Sequence, residues 1–184
     1  MNLYKENTAL ILPGIGDSDA AHWQSQWQSS HLNFLRVNQR DWENPVCQDW
    51  VDTLEHAVNK HGENVILIAH SLGCLLVAHW AAQANQKIHG ALLVAPPSPQ
   101  AAPAAAIFNT LATGFLPIPM TRFNFPSIVV ASSNDPYSNL VFSKSCAEAW
   151  GSRFVNIGDS GHINTSSGIG AWTEGFSFFK QLSA

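Results

Sequence analysis

Paired cysteines are missing from this chain of 184 residues: its three, Cys47, Cys74 and Cys146, lie far apart and are odd in number. Such spacing offers neither a disulfide framework nor a two-cysteine metal clip, and the thiols read as reduced side chains of a cytoplasmic protein. Charge is scarce as well. Lys and Arg total 9 against 13 Asp and Glu, a formal charge of −4, and the basic residues are scattered. Without a basic stripe there is no electrostatic footprint for nucleic acid, so none is expected as a partner. No apolar run approaches the ~20 residues that cross a bilayer, and no membrane partner is expected. The first residues, Met1–Leu12, hold one lysine, one acid and a short apolar run, unlike a secretion leader. A His-Glu-x-x-His motif and a phosphate-loop lysine are also absent, so the expectation is no metal and no cofactor.

What is present is an alternation of short apolar runs with longer helical patterns, the signature of a parallel sheet wrapped by helices. Strands are expected at about 8–12, 34–37, 64–69, 90–95, 127–132 and 154–157. Helices fall between them. The first is expected to start at Ser18 or Asp19, with Trp23 and Trp27 on one face. The second runs from about Val46 to Lys60, with Val46, Trp50, Leu54 and Val58 in helical spacing and Gly62 as its stop. The third is expected over Cys74–Ala84. The segment 96–122 is rich in proline and alanine; only Ala104–Ala112 reads as helical, and the segment as a whole is expected to form a small lid or pocket wall. No repeat or linker divides the chain, which reads as one domain, 1–184: a three-layer α/β/α sandwich on a six-stranded parallel sheet of order 2-1-3-4-5-6.

The most informative stretch is Val65-Ile66-Leu67-Ile68-Ala69-His70-Ser71-Leu72-Gly73. A buried strand ends in a serine between small residues, and a helix follows at once. Strand, sharp turn and helix present a serine oxygen above a sheet as a nucleophile. The turn requires small residues two before and two after the serine; Ala69 and Gly73 meet that need, although glycine is usual at both. An acid and a histidine must then come later, at the carboxyl edge of the sheet.

Three histidines compete for the base. His79 lies two turns down the helix after the serine, and His89 precedes its strand and so sits at the opposite edge. His162, in Gly158-Asp159-Ser160-Gly161-His162, follows the last strand at the edge where parallel strands gather their ligands. Asp135, after the fifth strand and held extended by Pro136, is favoured as the acid over Asp159, which is only three residues from His162 and could brace its own loop. The order Ser71, Asp135, His162 is the chain order of α/β-hydrolases. The hydroxyl needs a base to take its proton, the imidazole can do so near neutral pH, and the carboxylate orients the ring. Two backbone donors are expected to hold an oxyanion: Leu72 N–H, at the start of the helix, and Ile15 N–H, in the loop Pro13-Gly14-Ile15-Gly16. That loop is also a partial dinucleotide fingerprint, but Asp19 stands where a third glycine belongs, and a lone G-x-G is weak. Gly14 and His70 are candidate substrate contacts. Of the seven tryptophans, Trp27, Trp80, Trp150 and Trp172 are expected in the core. Trp23 and Trp42 lie near the carboxyl-edge loops and are candidates for the acyl pocket, with core packing as the default.

With these residues in place, the chain resembles the small serine hydrolases of the retinoblastoma-binding protein 9 and YdeN-like group. The likeness runs through the Pro-Gly-x-Gly loop followed by His22-Trp23, through Asp41-Trp42-x-x-Pro45 and Asp49-Trp50, and through Ala-His-Ser71-Leu-Gly, Ser-Asn-Asp135-Pro and Gly-His162. The resemblance implies a trimmed α/β-hydrolase fold, a Ser-Asp-His triad, and hydrolysis of small-molecule esters or amides. Leu72-Gly73-Cys74-Leu75-Leu76 lacks the glutamate of the Leu-x-Cys-x-Glu motif, so no retinoblastoma-type partner is expected. The expected activity is carboxylesterase-like, on small or exposed acyl groups. Two alternatives remain: a catalytically weak binding protein of the same fold, and a peptidase or amidase.

Overall fold

The computed structural model describes residues 7–183; Met1–Glu6, half of the segment judged unlike a leader, and Ala184 lie outside the described residues. Six strands, β1 (Thr8–Leu12), β2 (Phe34–Arg36), β3 (Val65–His70), β4 (Gly90–Val94), β5 (Ser127–Ala131) and β6 (Arg153–Asn156), form one parallel sheet in the order β2-β1-β3-β4-β5-β6. The expected order and strand positions hold to within a residue or so. Among the described residues six α-helices connect them: α1 (Trp23–Ser30), α2 (Cys47–His61), α3 (Leu72–Gln83), α4 (Ala102–Thr110), α5 (Leu140–Trp150) and α6 (Thr173–Leu182). None of them is long and apolar enough to cross a membrane.

The central strands are apolar except at their ends because both faces of the sheet are covered. Leu10, Leu12, Leu67, Ala69, Leu93 and Val129 point to the side of α2, α3 and α5; Ala9, Ile11, Ile66, Ile68, Leu92 and Val130 point to the side of α1 and α6. This period of two divides the core into two layers. Each buried aliphatic side chain contributes roughly 1.5–3 kcal/mol. Trp27, Trp80, Trp150 and Trp172 are buried as expected. The indole N–H groups of Trp27, Trp80 and Trp150 find acceptors in Ala171 O, Glu55 Oε2 and Pro119 O, which removes the cost of burying them.

Three helix starts differ from expectation, and that of α3 lies at Leu72, two residues before Cys74. Helix α1 begins at Trp23, not near Ser18 or Asp19, and its cap is the ring of His22, whose Nδ1 accepts from Gln24 N–H. Asp19 is engaged earlier: its Oδ1 accepts the amides of Ala21 and His22, making a turn ahead of the helix. Helix α4 starts at Ala102, two residues before the expected Ala104, with Pro103 inside its first turn. Proline costs nothing there because the first amides of a helix have no intrahelical acceptor.

The chain passes from β1 to the β2 edge and then returns to place β3 on the other side of β1. The loops leaving the carboxyl ends of β1 and β3 therefore part, and a crevice opens between them.

Candidate active site

Ser71 stands where β3 turns into α3, at φ 53°, ψ −123°. A non-glycine residue in this region is strained by about 1–3 kcal/mol, and two features hold it. Its N–H donates to Val94 O at 2.9 Å, and Gly73 lets α3 cross close under β1: a β-carbon there would lie 2.3 Å from Leu12 O. The strain lifts the hydroxyl clear of strand and helix.

The His162 ring, 91 residues away in sequence, comes to this hydroxyl. Nε2 lies 2.8 Å from Ser71 Oγ, and Nδ1 lies 2.9 Å from both Asp135 carboxylate oxygens. Nδ1–H facing a carboxylate leaves the Nε2 lone pair to accept the serine proton. Asp135 and His162 are buried, so these contacts are little screened by solvent. Asp135 is aimed by the turn after β5, where its Oδ1 also accepts Tyr137 N–H at 2.8 Å. His79, His89 and Asp159 are elsewhere. His79 bonds Phe115 O, His89 pairs through its amide with Val65 O at the amino edge, and Asp159 is exposed, while the ion pair of His162 among the described residues is with Asp135.

Ile15 and Leu72 both line the cavity above Ser71. Among the described residues neither amide donates to a backbone or side-chain acceptor. Gly14 and His70 also line the cavity. Trp23 and Trp42 do not. Trp23 is 1% exposed, within the layer under α1, because the start of α1 turns inward over the sheet. Trp42 packs edge-on against Trp50, with ring centroids 5.4 Å apart, on the other layer.

The cavity measures ≈ 240 Å³, below the ~300–1,000 Å³ of sites for drug-sized ligands. Pro97, Ala104, Ile107 and Phe108, all from the 96–122 segment, form an apolar wall. Asp17, Asp19, Asn164 and Thr165 form a polar one. Asp17 is paired with Arg36. Thr165 Oγ1 donates to Asp19 Oδ1 at 3.0 Å and ties the loop after His162 to the loop before α1.

Four residues that support the site were given no role from sequence. Ser132 Oγ and Asn134 Oδ1 accept the amides of Ser160 and Gly161. Gln24, fully buried, donates to Leu12 O and Ile68 O at the ends of β1 and β3. His22 lines the cavity, and burial pushes its pKa down to about 4. Ser132 and Asn134 carried one sequence signal, a turn-forming run directly before Asp135, and His22 stood in the motif His22-Trp23; Gln24 carried none.

A family model described as "Serine hydrolase" matches residues 9–181. No match is found among curated protein sequences. The chain is similar to the solved structure of a protein described as a YdeN-like hydrolase from Pectobacterium atrosepticum: 31% identity, TM-score 0.82, covering 96% of this chain and 90% of that one. It is also similar to the ydeN gene product of B. subtilis, at 21% identity and TM-score 0.77 over 95% of this chain and 97% of that one. An esterase from Rhodococcus, at 14% identity and TM-score 0.64 over 96% and 90% of the two chains, shares the fold.

Proposed function

This chain belongs to the serine hydrolase family, and we propose that it cleaves carboxylic esters with small or exposed acyl groups through an acyl-enzyme on Ser71. The observation that carries this reading is the unbroken line from Ser71 Oγ through the His162 ring to Asp135, at 2.8 and 2.9 Å, opening into a cavity.

In this mechanism the carbonyl carbon approaches Ser71 Oγ. As the O–C bond forms, the hydroxyl proton moves to His162 Nε2 and the carbonyl electron pair moves onto oxygen. Ile15 N–H and Leu72 N–H receive that oxyanion; each such donor is worth roughly 3 kcal/mol in the transition state. Asp135 holds the ring and offsets its developing positive charge. The tetrahedral species collapses, the C–O bond to the alcohol breaks, and the leaving oxygen takes the proton from Nε2. Water then attacks the acyl-serine by the same route, releasing the acid and restoring the hydroxyl.

The small volume and the apolar wall of Pro97, Ile107 and Phe108 support short acyl chains, with the 96–122 segment as the pocket wall. The three cysteines are buried and unpaired, which supports a reducing, cytoplasmic setting. The test is turnover of p-nitrophenyl esters graded from two to twelve carbons, alongside matching p-nitroanilides. Hydrolysis that peaks at short esters and disappears in His162→Ala is the expected result. Faster anilide cleavage would make the protein an amidase or peptidase, and no turnover by the folded protein would leave it a binding protein of the same fold.

A further inference from the structure

We infer that His70, with Trp23 beside it, positions His162 by holding the backbone of the loop that carries it. The inference rests on the reading of His162 as the base and adds the device that sets its distance from Ser71.

The loop needs holding. Gly161 and Ile163, on either side of His162, both have positive φ, 54° and 50°. For isoleucine, whose branched β-carbon crowds the backbone, this conformation is an outlier that persists only where the surroundings impose it. Ile163 is also fully buried. Two ring donors grip the strained stretch from below: His70 Nε2–H donates to His162 O at 2.9 Å, and Trp23 Nε1–H donates to Ile163 O at 2.9 Å, both within the buried interior. The Asn134 and Ser132 side chains take the amides of Gly161 and Ser160 from the other side.

His70 differs from the other three because it is the residue before Ser71. Its backbone ends β3 and sets the nucleophile, and its ring holds the backbone of the base. Ser71 Oγ and His162 Nε2 are thus referred to one rigid residue, although 91 positions separate them. The ring is itself fixed by its neighbours. His22 lies edge-on at 4.8 Å between centroids, Trp23 at 6.2 Å, and His162 on the far side at 5.0 Å. Burial, with His162 and His22 close by, holds the His70 pKa well below its ordinary value. The neutral ring carries one N–H, and a carbonyl can only accept, so that proton belongs on Nε2. Nε2 carries a proton in this neutral tautomer and in the cation alike, so the bond does not depend on the charge of the ring.

The role requires a donor at this point and nothing more of the side chain. His70→Phe keeps the volume and removes the N–H; His70→Gln keeps an N–H donor. In steady-state kinetics on p-nitrophenyl acetate, His70→Phe should lower kcat by roughly 10- to 100-fold, the cost of a misplaced group, with KM within twofold. His70→Gln should restore most of the loss. Trp23→Phe, which releases only the Ile163 grip, should lower kcat in the same direction by less, and keeps the idea testable should His70→Phe fail to fold. Hydrogen–deuterium exchange of the 158–165 peptide, which needs no activity, should rise in His70→Phe and Trp23→Phe and return toward wild type in His70→Gln. A glutamine variant as impaired as the phenylalanine one, or unchanged kcat and exchange in the donor-less variants, would overturn the inference. Wild-type protein without esterase activity would sink the proposed function alone, and the exchange result would still decide whether His70 holds the loop.

Discussion

A β-carbon on Gly14 would lie 2.9 Å from the β-carbon of Ser71 and 3.3 Å from its hydroxyl oxygen. The loop after β1 therefore passes directly over the serine, with no room for a side chain between them, and places Ile15 beside it on the cavity wall, where the proposed oxyanion donor is needed. The missing side chain of Gly14 is thus a requirement of the site itself.

Gly14→Ala should accordingly fold and fail to turn over. The added methyl pushes the loop away from Ser71 and displaces the Ile15 donor. Loss of one such donor costs roughly 100- to 1,000-fold. Kinetics on p-nitrophenyl acetate together with thermal unfolding will check this: kcat/KM should fall by about 100-fold with a small change in Tm. A variant within threefold of wild type would contradict the placement of the donor.

Gly73→Ala should act on stability instead. Its β-carbon would meet backbone, Leu12 O at 2.3 Å and Pro13 O at 2.9 Å, and backbone cannot swing aside as a side chain can. Overpacking costs about 1–3 kcal/mol even where side chains give way, so the loss here should reach or exceed that range. For a domain of this size each kcal/mol lowers Tm by about 2–4 °C. An unshifted Tm would mean that α3 and β1 are not packed as closely as described.

Acid should destabilise the fold through its buried rings. In the unfolded chain His22 takes a proton below about its ordinary 6.5, whereas in the folded protein burial delays protonation to about 4. Between those values the unfolded state binds more protons, so stability falls as pH drops. The loss for this group is on the order of 3 kcal/mol once pH reaches 4, and His70, shifted in the same direction, adds to it. His22→Asn keeps an oxygen able to cap Gln24 N–H and removes the ring. Urea midpoints measured from pH 7 to 4 should fall less steeply in the variant. Equal slopes would rule out His22 as a contributor.

Anionic substrates should be poor ones. Asp17 and Asp19 line the cavity and no lysine or arginine does. Arg36 offsets Asp17, while the Thr165 hydroxyl, with the amides of Ala21 and His22, holds Asp19 below the usual carboxylate range and so keeps it charged. The p-nitrophenyl monoester of succinate should show a kcat/KM several-fold below that of a neutral ester of equal length. Because Asp19 is exposed, the gap should narrow in high salt as well as in Asp19→Asn. Equal rates for the two esters at low salt would contradict this.

The sheet was legible in the sequence because its strands are continuous apolar runs between helical patterns, and the order of Ser71, Asp135 and His162 placed all three at one edge. What escaped had a common cause. Trp23, with core packing as its default, stayed a pocket candidate because it lies near that edge and sequence does not say which way a helix start turns. Here it turns inward, and the indole reaches Ile163 O, 140 residues on. Ser18 and Asp19 suit a helix cap by type, yet both are engaged elsewhere, Ser18 with Gln24 Oε1 and Asp19 in a turn and with Thr165. The supports of the His162 loop, Ser132 and Asn134, act across 28 and 27 residues. Contacts between loops that are distant in sequence follow from neither periodicity nor motif.

Covalent trapping tests the central claim most directly. A fluorophosphonate probe, which loses fluoride to an activated serine, should add once per chain, and peptide mapping by mass spectrometry should find it on Ser71. The adduct should vanish in Ser71→Ala and form far more slowly in His162→Ala. A folded protein that the probe leaves unmodified, or modifies at another serine with Ser71 intact, would contradict the account.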